Sequence, residues 1–524
     1  MKILLAYTSG ASENQDLYLN LLPTGLLYLQ SYLSEAGYDV MLANFSGWSD
    51  DRIASKVATF KPEIAGISQW THNRHASLDL AHTIKSNIPE CTVVLGGGHA
   101  TFSYHSILTK ESSVDLVVIG EGEVTLRELA DCIAAKNRWQ HISGTAFRKE
   151  GKIVVNPPQK PIPDLDLLPF PTKYIERSTG VDIPLQAEFV LTARGCPSTC
   201  RFCSSPAFWP QRLRFRSPER IVDEIFYLRE RFGLIYFSFR DDTFTANRKR
   251  TLEFCRLLIE RKAFIIWNCQ SRVTALDEEI VQQMKLAGCE CIQLGVESGS
   301  PKILDYLGKK IQPVDVEQAS ALIRKAGINL SIYLISDIPG EQEEDLVQTM
   351  ELVRRIKPDD GYVSPLAWYP GTKLFQEALD TGLAAEDVFD QSREPAIFAL
   401  KTAGNNTSRL LKVLTSAAPR KTGQKRGQSY CYVTNVLSGE RFRLAGKSSA
   451  AEEFFKEITE KESDNPWGWY LLGDLFAETG RTGQAIKYYE IALKLVPRHA
   501  PSFSALRELK TKRGLKRPRP GNSA

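Results

Sequence analysis

"ARGCPSTCRFCSSP", residues 193–206, puts three cysteines, Cys196, Cys200 and Cys203, into eight residues. The stretch directly follows an apolar run, "EFVLT" (188–192), the first of six. The others are "LIYFSFR" (234–240), "FIIWNC" (264–269), "CIQLGV" (291–296), "LSIYLI" (330–335) and "GYVSPLA" (361–367). Helical patterns fill the gaps, as in "SPERIVDEIFYLRERFG" (217–233), with Ser217 as cap, Pro218 at the first position and Gly233 as stop. Six strand–helix units of this size predict a partial or full α/β barrel over 186–385. Chemistry in such barrels sits at the C-terminal ends of the strands, which is where the cysteines fall.

Upstream, "KILLAY", "DVMLAN", "IAGIS", "TVVLGG" and "LVVIGEG" alternate with helical segments across residues 1–140. Continuous apolar strands joined by helices predict a doubly wound parallel sheet covered on both faces. The helix in "LPTGLLYLQSYLSEAG" has Pro23 in its first turn and Gly37 past its end. Residues 141–185 read as a proline-rich linker, since "NPPQKPIPDLDLLPFP" (156–171) suits an extended crossing, neither helix nor central strand. Downstream, 386–445 gives a weak pattern, with a hairpin around Ser438-Gly439 as its one expectation. In 446–510, Trp469, Leu472, Gly473, Phe476, Ala485, Tyr489, Ala492 and Pro497 match tetratricopeptide spacing. So short an array is either a structural cap on the barrel or a docking site for a protein partner. Residues 511–524 form a basic tail, read as a disordered solvated end or a contact for nucleic acid or an acidic partner.

The net charge of +4 is uneven: residues 401–524 hold 23 Lys and Arg against 11 Asp and Glu, so the first 400 carry about −8. The N-terminal apolar run is too short for a secretory core, and no window approaches a membrane span. A cytoplasmic protein with reduced or metal-bound cysteines is the expectation.

Three clustered thiols admit a zinc site completed by a distant His, or an iron–sulfur cluster with one iron left open. "CPSTCRFC" resembles the C-x3-C-x2-C signature of radical S-adenosylmethionine (SAM) enzymes, including the aromatic Phe202 before the last cysteine. The resemblance covers 186–385. It implies a [4Fe-4S] cluster on Cys196, Cys200 and Cys203, with SAM on the open iron. One electron, from a donor such as flavodoxin or ferredoxin, then cleaves SAM to a 5′-deoxyadenosyl radical. SAM contacts are expected from Phe202, from Asp241 and Asp242 in "FRDDTFT", from Arg272 in "QSR", and from Glu297 and Ser298 in "GVESGS". Asp242 or Thr245 doubles as a helix cap. The turns in "DIPGEQEEDL" and "YPGT" also recur in that family and are readable as purely structural. Cys255, Cys269, Cys289 and Cys291 read as buried small hydrophobes; Cys289 and Cys291 are too few for a second cluster.

No G-x-G-x-x-G follows the first strand; "AYTSGASE" does not fit. Instead "LGGGHATF" (95–102), "IGEGEVTL" (119–126) and "GISQWTHNRHASL" (66–78) resemble the cobalamin-binding domain of one large radical SAM subfamily. The implied cobalamin contacts are Ser68, Thr71, Gly96, Gly97, Gly98, Thr101, Gly120, Glu121, Gly122 and Glu123. The Asp-x-His-x-x-Gly motif, whose His ligates cobalt, is absent: His72 and His75 lack the Asp two residues before. Cobalamin is therefore expected without a protein imidazole, although a domain that has lost cobalamin is the alternative.

The sequence thus points to a cobalamin-dependent radical SAM methyltransferase acting at an unactivated carbon or phosphorus of a small molecule. A cyclase, oxidase or rearrangement enzyme with the same cofactors is the second reading. The third is a tetratricopeptide scaffold with an inert barrel. A methylthiotransferase is disfavoured because its additional N-terminal cysteines are not found.

Overall fold

Short apolar runs build the first half. They form β1 (Lys2–Tyr7), β2 (Asp39–Asn44), β3 (Ile64–Ser68), β4 (Thr92–Gly96) and β5 (Leu116–Val118). Helices α1 (Thr24–Glu35), α2 (Asp50–Phe60), α3 (Arg74–Asn87), α4 (Gly98–Lys110) and α5 (Glu123–Ala134) connect and follow them. The computed structural model describes residues 1–9, 21–209, 213–390, 405–418 and 430–512. These five strands are parallel in the order β5-β4-β3-β1-β2. One face packs Leu4, Ala65, Ile67 and Val93 and the other Ile3, Leu5, Ile64 and Val94, so the strands read as unbroken apolar runs. The order reverses between β1 and β3, and the C-terminal ends of those strands open a crevice there. Pro23 is the residue before α1 rather than part of its first turn.

The sheet continues into the segment read as a linker. A hairpin of β6 (Thr145–Lys149) and β7 (Lys152–Val155) adds antiparallel to β5, and β8 (Ser178–Thr179) adds parallel to β2, giving eight strands. The hairpin turn, Glu150-Gly151, has φ of 50° and 73°. Two successive positive φ values normally call for Asn-Gly or Asp-Gly, so a Glu there hides the turn from sequence reading.

A short α6 (Ile183–Ala187) leads into the second sheet, β9 (Phe189–Val190), which is followed by the short antiparallel pair β10 (Ala193–Arg194) and β11 (Arg214–Phe215), with α7 (Ser205–Phe208) between. Then come α8 (Pro218–Phe232), β12 (Tyr236–Phe239), α9 (Arg248–Glu260), β13 (Ile266–Ser271), α10 (Glu278–Leu286) and β14 (Cys289–Glu297). The unit ends with α11 (Pro301–Tyr306), α12 (Pro313–Lys325), β15 (Asn329–Ser336), α13 (Glu343–Ile356), β16 (Asp360–Pro365), α14 (Lys373–Asp380) and α15 (Asn406–Ala417). Strands β9, β12, β13, β14, β15 and β16 pair in parallel in chain order, and the two end strands do not pair with each other. This is an open, partial barrel. The Ser217 hydroxyl accepts from the Arg220 amide at the start of α8, and Gly233 (φ 73°) ends it. Helix α9 is capped by Asn247, whose side chain accepts from the Arg250 amide, not by Asp242 or Thr245. Asp242 lies before, and Thr245 within, a separate 3-10 turn (Phe244–Ala246) that precedes the helix.

The C-terminal part is helical: α16 (Tyr432–Leu444), α17 (Ser448–Lys461), α18 (Pro466–Glu478), α19 (Thr482–Leu495) and α20 (Ala500–Lys512). The expected hairpin at Ser438-Gly439 is instead the middle of α16. Gly439 is there because the Phe455 ring lies against the helix; an added Cβ would sit 2.2 Å from it. These helices dock on the N-terminal ends of the barrel strands. The Tyr432 hydroxyl donates to the Ile265 carbonyl (2.6 Å), and the Trp467 indole donates to the Phe264 carbonyl (2.9 Å). Of the basic tail, 513–524 lies outside the described residues. No described helix is long and apolar enough to cross a membrane.

Candidate active site

The chain leaves β9 at Val190 and is pinned at once. The buried carboxylate of Asp241, at the end of β12, accepts from the Thr192 amide (2.6 Å), the Ala193 amide (3.0 Å) and the Thr192 hydroxyl. The Arg250 guanidinium donates to the Thr192 carbonyl (2.8 Å) and the Arg216 carbonyl (3.0 Å). Burial pushes the Asp241 carboxyl up; Arg250 and the Thr192 hydrogen bonds oppose it. Asp241 is therefore committed to holding the start of the cysteine loop.

The loop itself runs over the C-terminal ends of the strands. Its Arg201 amide donates to the Leu307 carbonyl (2.9 Å), and the Leu374 amide donates to the Arg201 carbonyl (2.9 Å). Cys196 Sγ lies 3.9 Å from the Thr243 hydroxyl, and the Ser205 amide points at Cys203 Sγ (3.4 Å). Burial pushes the Cys203 thiol up to about 12, with the Ser205 amide opposing. Burial also raises Cys200, while Lys309 and Arg272 pull it back. A bound metal group reverses this by taking the thiolates as ligands. Among the described residues no three His, Cys, Asp or Glu side chains converge as they would around one ion. Three cysteines on one loop are the donor set of a cluster that keeps one iron open, with the thiols of Cys196, Cys200 and Cys203 as its ligands.

The loop faces a cavity of about 1330 Å³ walled by both halves of the molecule. The barrel side brings Gly195, Cys203, Ser204, Ser205, Asp241 and Asp242; the first sheet brings Ser68, Gly96, Gly97, Gly98 and Gly120 through Glu123. Gly97 has φ 98°, and an added Cβ would stand 2.7 Å from the Gln69 carbonyl oxygen. At Gly25 and Gly120, both on the cavity wall, an added Cβ would project into open space. That is the profile of a cradle kept clear for a bulky ligand.

Buried ion pairs join the halves. Arg194 donates to Glu123 (2.6 Å) and Glu121 (3.1 Å), and Arg214 donates to Glu121 (2.9 Å). The Arg194 guanidinium also lies 4.9 Å from the Tyr28 ring centre.

Residues 190–353 match the radical SAM superfamily model, and residues 16–130 match the B12 binding domain model. An uncharacterised methyltransferase of Pyrococcus horikoshii is 32% identical over 373 residues, covering 69% of this chain and 79% of the relative. The chain belongs to the radical SAM enzymes that carry a B12-binding domain. An anaerobic magnesium-protoporphyrin IX monomethyl ester cyclase of Rubrivivax gelatinosus is 30% identical over 72% of the chain and 70% of its own length. The radical SAM methyltransferase TsrM from Kitasatospora setae shares the fold at 16% identity, with a TM-score of 0.64 over 84% of this chain and 96% of that one.

The sequence-expected residues of this radical SAM enzyme do not all meet. Asp242 lies at the cavity wall, where its carboxylate accepts from the Ser205 hydroxyl. Arg272 instead lines a separate cavity of about 230 Å³ with Pro197, Ser198, Thr199, Gly308, Lys309 and Lys310. Glu297 is buried with φ 66° and accepts from Lys309 (2.6 Å); Ser298 is buried against Thr349. Phe202 packs on the apolar group of Ile303, Leu307 and Trp368. Phe202, Glu297 and Ser298 line neither cavity. In the first sheet, Thr101 supports the wall from behind, accepting from the Gly120 amide (3.1 Å), and the Thr71 hydroxyl pairs with His99 (3.2 Å). Glu121 and Glu123 border the cavity but spend their charge on the arginines. His72 is on the wall, 2.9 Å from the Tyr7 hydroxyl, and burial lowers its pKa; His75 is not on the wall. Cys255, Cys269 and Cys289 are core, and Cys291 borders the cavity. Sequence reading missed Arg194, although it stands two residues before Cys196, and Lys309, whose pairing with Glu297 depends on a turn 12 residues away.

Proposed function

We propose that the chain is a cobalamin-dependent methyltransferase that acts on an unactivated carbon or a phosphorus of a small molecule, in the cytoplasm. The observation carrying this reading is the single chamber walled by the cysteine loop on one side and the glycine-rich sheet edge on the other. Cys196, Cys200 and Cys203 would hold a [4Fe-4S] cluster. Asp242, with Ser205 beside it, would accept hydrogen bonds from SAM. Ser68, Gly96, Gly97, Gly98, Gly120 and Gly122 would leave the backbone room to meet cobalamin. When bound, the cluster with SAM supplies a hydrogen-abstracting radical, and cobalamin supplies the methyl group. The protein's own work is positioning and exclusion. Asp241 and Arg250 fix the loop, and the Arg194–Glu121–Glu123 contacts hold the two walls of the chamber against each other. Reducing power would come from a flavodoxin or ferredoxin. The C-terminal helices, seated on the far end of the barrel, would serve as a structural cap, with a protein partner as the alternative use.

The test is oxygen-free purification with cobalamin supplied. About four irons and one cobalt per chain are expected. With dithionite and SAM, 5′-deoxyadenosine should form above a Cys200→Ala control, and deuteromethyl SAM should label a small-molecule product. The similarity to a cyclase favours a second reading, ring closure or oxidation without methyl transfer. Deoxyadenosine formation with no label in any product would select it, and one zinc per chain in place of iron would end both.

A further inference from the structure

The cysteine loop has two faces. Gly195, Cys203, Ser204 and Ser205 look into the large chamber, whereas Pro197, Ser198 and Thr199 look away from it, onto the small cavity with Arg272, Lys309 and Lys310. Pro197 and Thr199 are exposed. Lys310 and Lys373, also exposed, flank this outer face. Lys310 follows the turn on which Gly308 meets Thr199; an added Cβ at Gly308 would lie 3.4 Å from the Thr199 carbonyl oxygen. Lys373 precedes Leu374, whose amide holds the Arg201 carbonyl at 2.9 Å.

The charges here are unbalanced. Arg201 pairs with Glu377 and Lys309 with Glu297. Arg272, Lys310 and Lys373 remain, against the exposed Asp305 near the end of α11. Neither Lys310 nor Lys373 has an acidic partner among the described residues. This patch stands out because the first 400 residues carry a net charge of about −8.

Resting on the function proposed above, we propose that the outer face of the cysteine loop, bracketed by Lys310 and Lys373, docks an acidic one-electron carrier protein. The radical chamber must exclude water and reductant, so the electron is best delivered from the opposite side of the loop. The carrier's reduced cofactor loses one electron and the cluster gains it, with no bond or proton change at the interface. That electron is consumed when the C5′–S bond of SAM breaks to methionine and the 5′-deoxyadenosyl radical. Charge complementarity of this kind acts on encounter rate and weakens with salt.

The experiment uses the full chain with its cluster reconstituted, and two reductants: a flavodoxin hydroquinone and the methyl viologen radical cation. Stopped-flow absorbance follows oxidation of each, and 5′-deoxyadenosine is measured in parallel. In the K310E/K373E variant, flavodoxin oxidation should slow about tenfold at low ionic strength, and the gap should close as salt rises. The viologen rate should not fall. Asp305→Asn should speed the flavodoxin reaction. The K487E/K494E variant, an equal charge change on α19, should leave it unchanged. Equal slowing with both reductants, no slowing with flavodoxin, or equal slowing in K487E/K494E would each overturn the docking surface while leaving the enzyme reading intact. A wild-type chain that makes no 5′-deoxyadenosine with either reductant would refute that reading, and the docking surface with it.

Discussion

Replacing Arg194 with Met tests whether the two halves are held as one chamber. Methionine keeps most of the apolar stem but removes the guanidinium. The site is nearly dry: side-chain exposure is 7% for Arg194 and 4% for Glu123. Glu121 retains Arg214, whereas Glu123 loses its cation. Removing one member of a buried pair costs about 3–5 kcal/mol, because the other charge stays buried and uncompensated. The contact with Tyr28 adds to the loss. In a chain of several units, unfolding need not be two-state. The quantity to follow is therefore the first urea transition, read by tryptophan fluorescence, since Trp70 and Trp209 line the chamber. A loss of about 3–5 kcal/mol is expected at pH 7.5. Arg194→Met combined with Glu123→Leu should recover at least about 1 kcal/mol of it, since the stranded charge is gone. The pH dependence has a defined sign. Burial pushes the Glu121 carboxyl up, but Arg214 and Arg194 outweigh it and leave its pKa below the usual value. Its contribution is thus present above the unfolded-state pKa and lost as pH falls through the folded value. The gap between wild type and Arg194→Met should narrow in acid. A single variant within about 0.5 kcal/mol of wild type would refute the reasoning.

Three further outcomes are expected. Gly97→Ala combines a positive φ with a Cβ 2.7 Å from the Gln69 carbonyl oxygen; it should cost about 1–3 kcal/mol and reduce cobalt uptake during reconstitution. Gly233→Ala would place a Cβ 2.1 Å from the Arg498 backbone, so limited proteolysis should release the C-terminal helices sooner than in wild type. Burial, assisted by Arg74, lowers His99 to about 3. The unfolded chain then binds the extra proton below pH of about 6.5, so stability should fall by up to about 1.4 kcal/mol per unit as pH drops below that. His99→Phe should flatten that slope in urea midpoints measured across pH 4–7, and an unchanged slope would remove His99 from the account.

Much of the architecture was legible because it rests on short-range chemistry. All six apolar runs of 188–367 became barrel strands, and Ser217, Pro218 and Gly233 delimit α8, since periodicity and caps act within a few residues. The hairpin β6–β7 was missed because Glu150 is an unusual occupant of a left-handed turn. Helix α16 was misread because its apolar residues alternate locally, and packing against Phe455 and the barrel end overrode that pattern.

The sequence alone determined where the chemistry lies: three thiols at 3- and 2-residue gaps form a local donor set on one loop, and its resemblance to the radical SAM signature, like that of the glycine-rich strand ends to a cobalamin-binding domain, is carried by residues close together in the chain. Tertiary structure alone decided which carboxylates remain free for ligand. Asp241 and Asp242 are neighbours in sequence, yet one is consumed by Thr192 and Ala193 while the other lies at the cavity wall. Glu121 and Glu123 face arginines more than 70 residues away. The physical reason is that a buried charge needs a partner, and partners are chosen by the packing of distant elements rather than by neighbours in the chain.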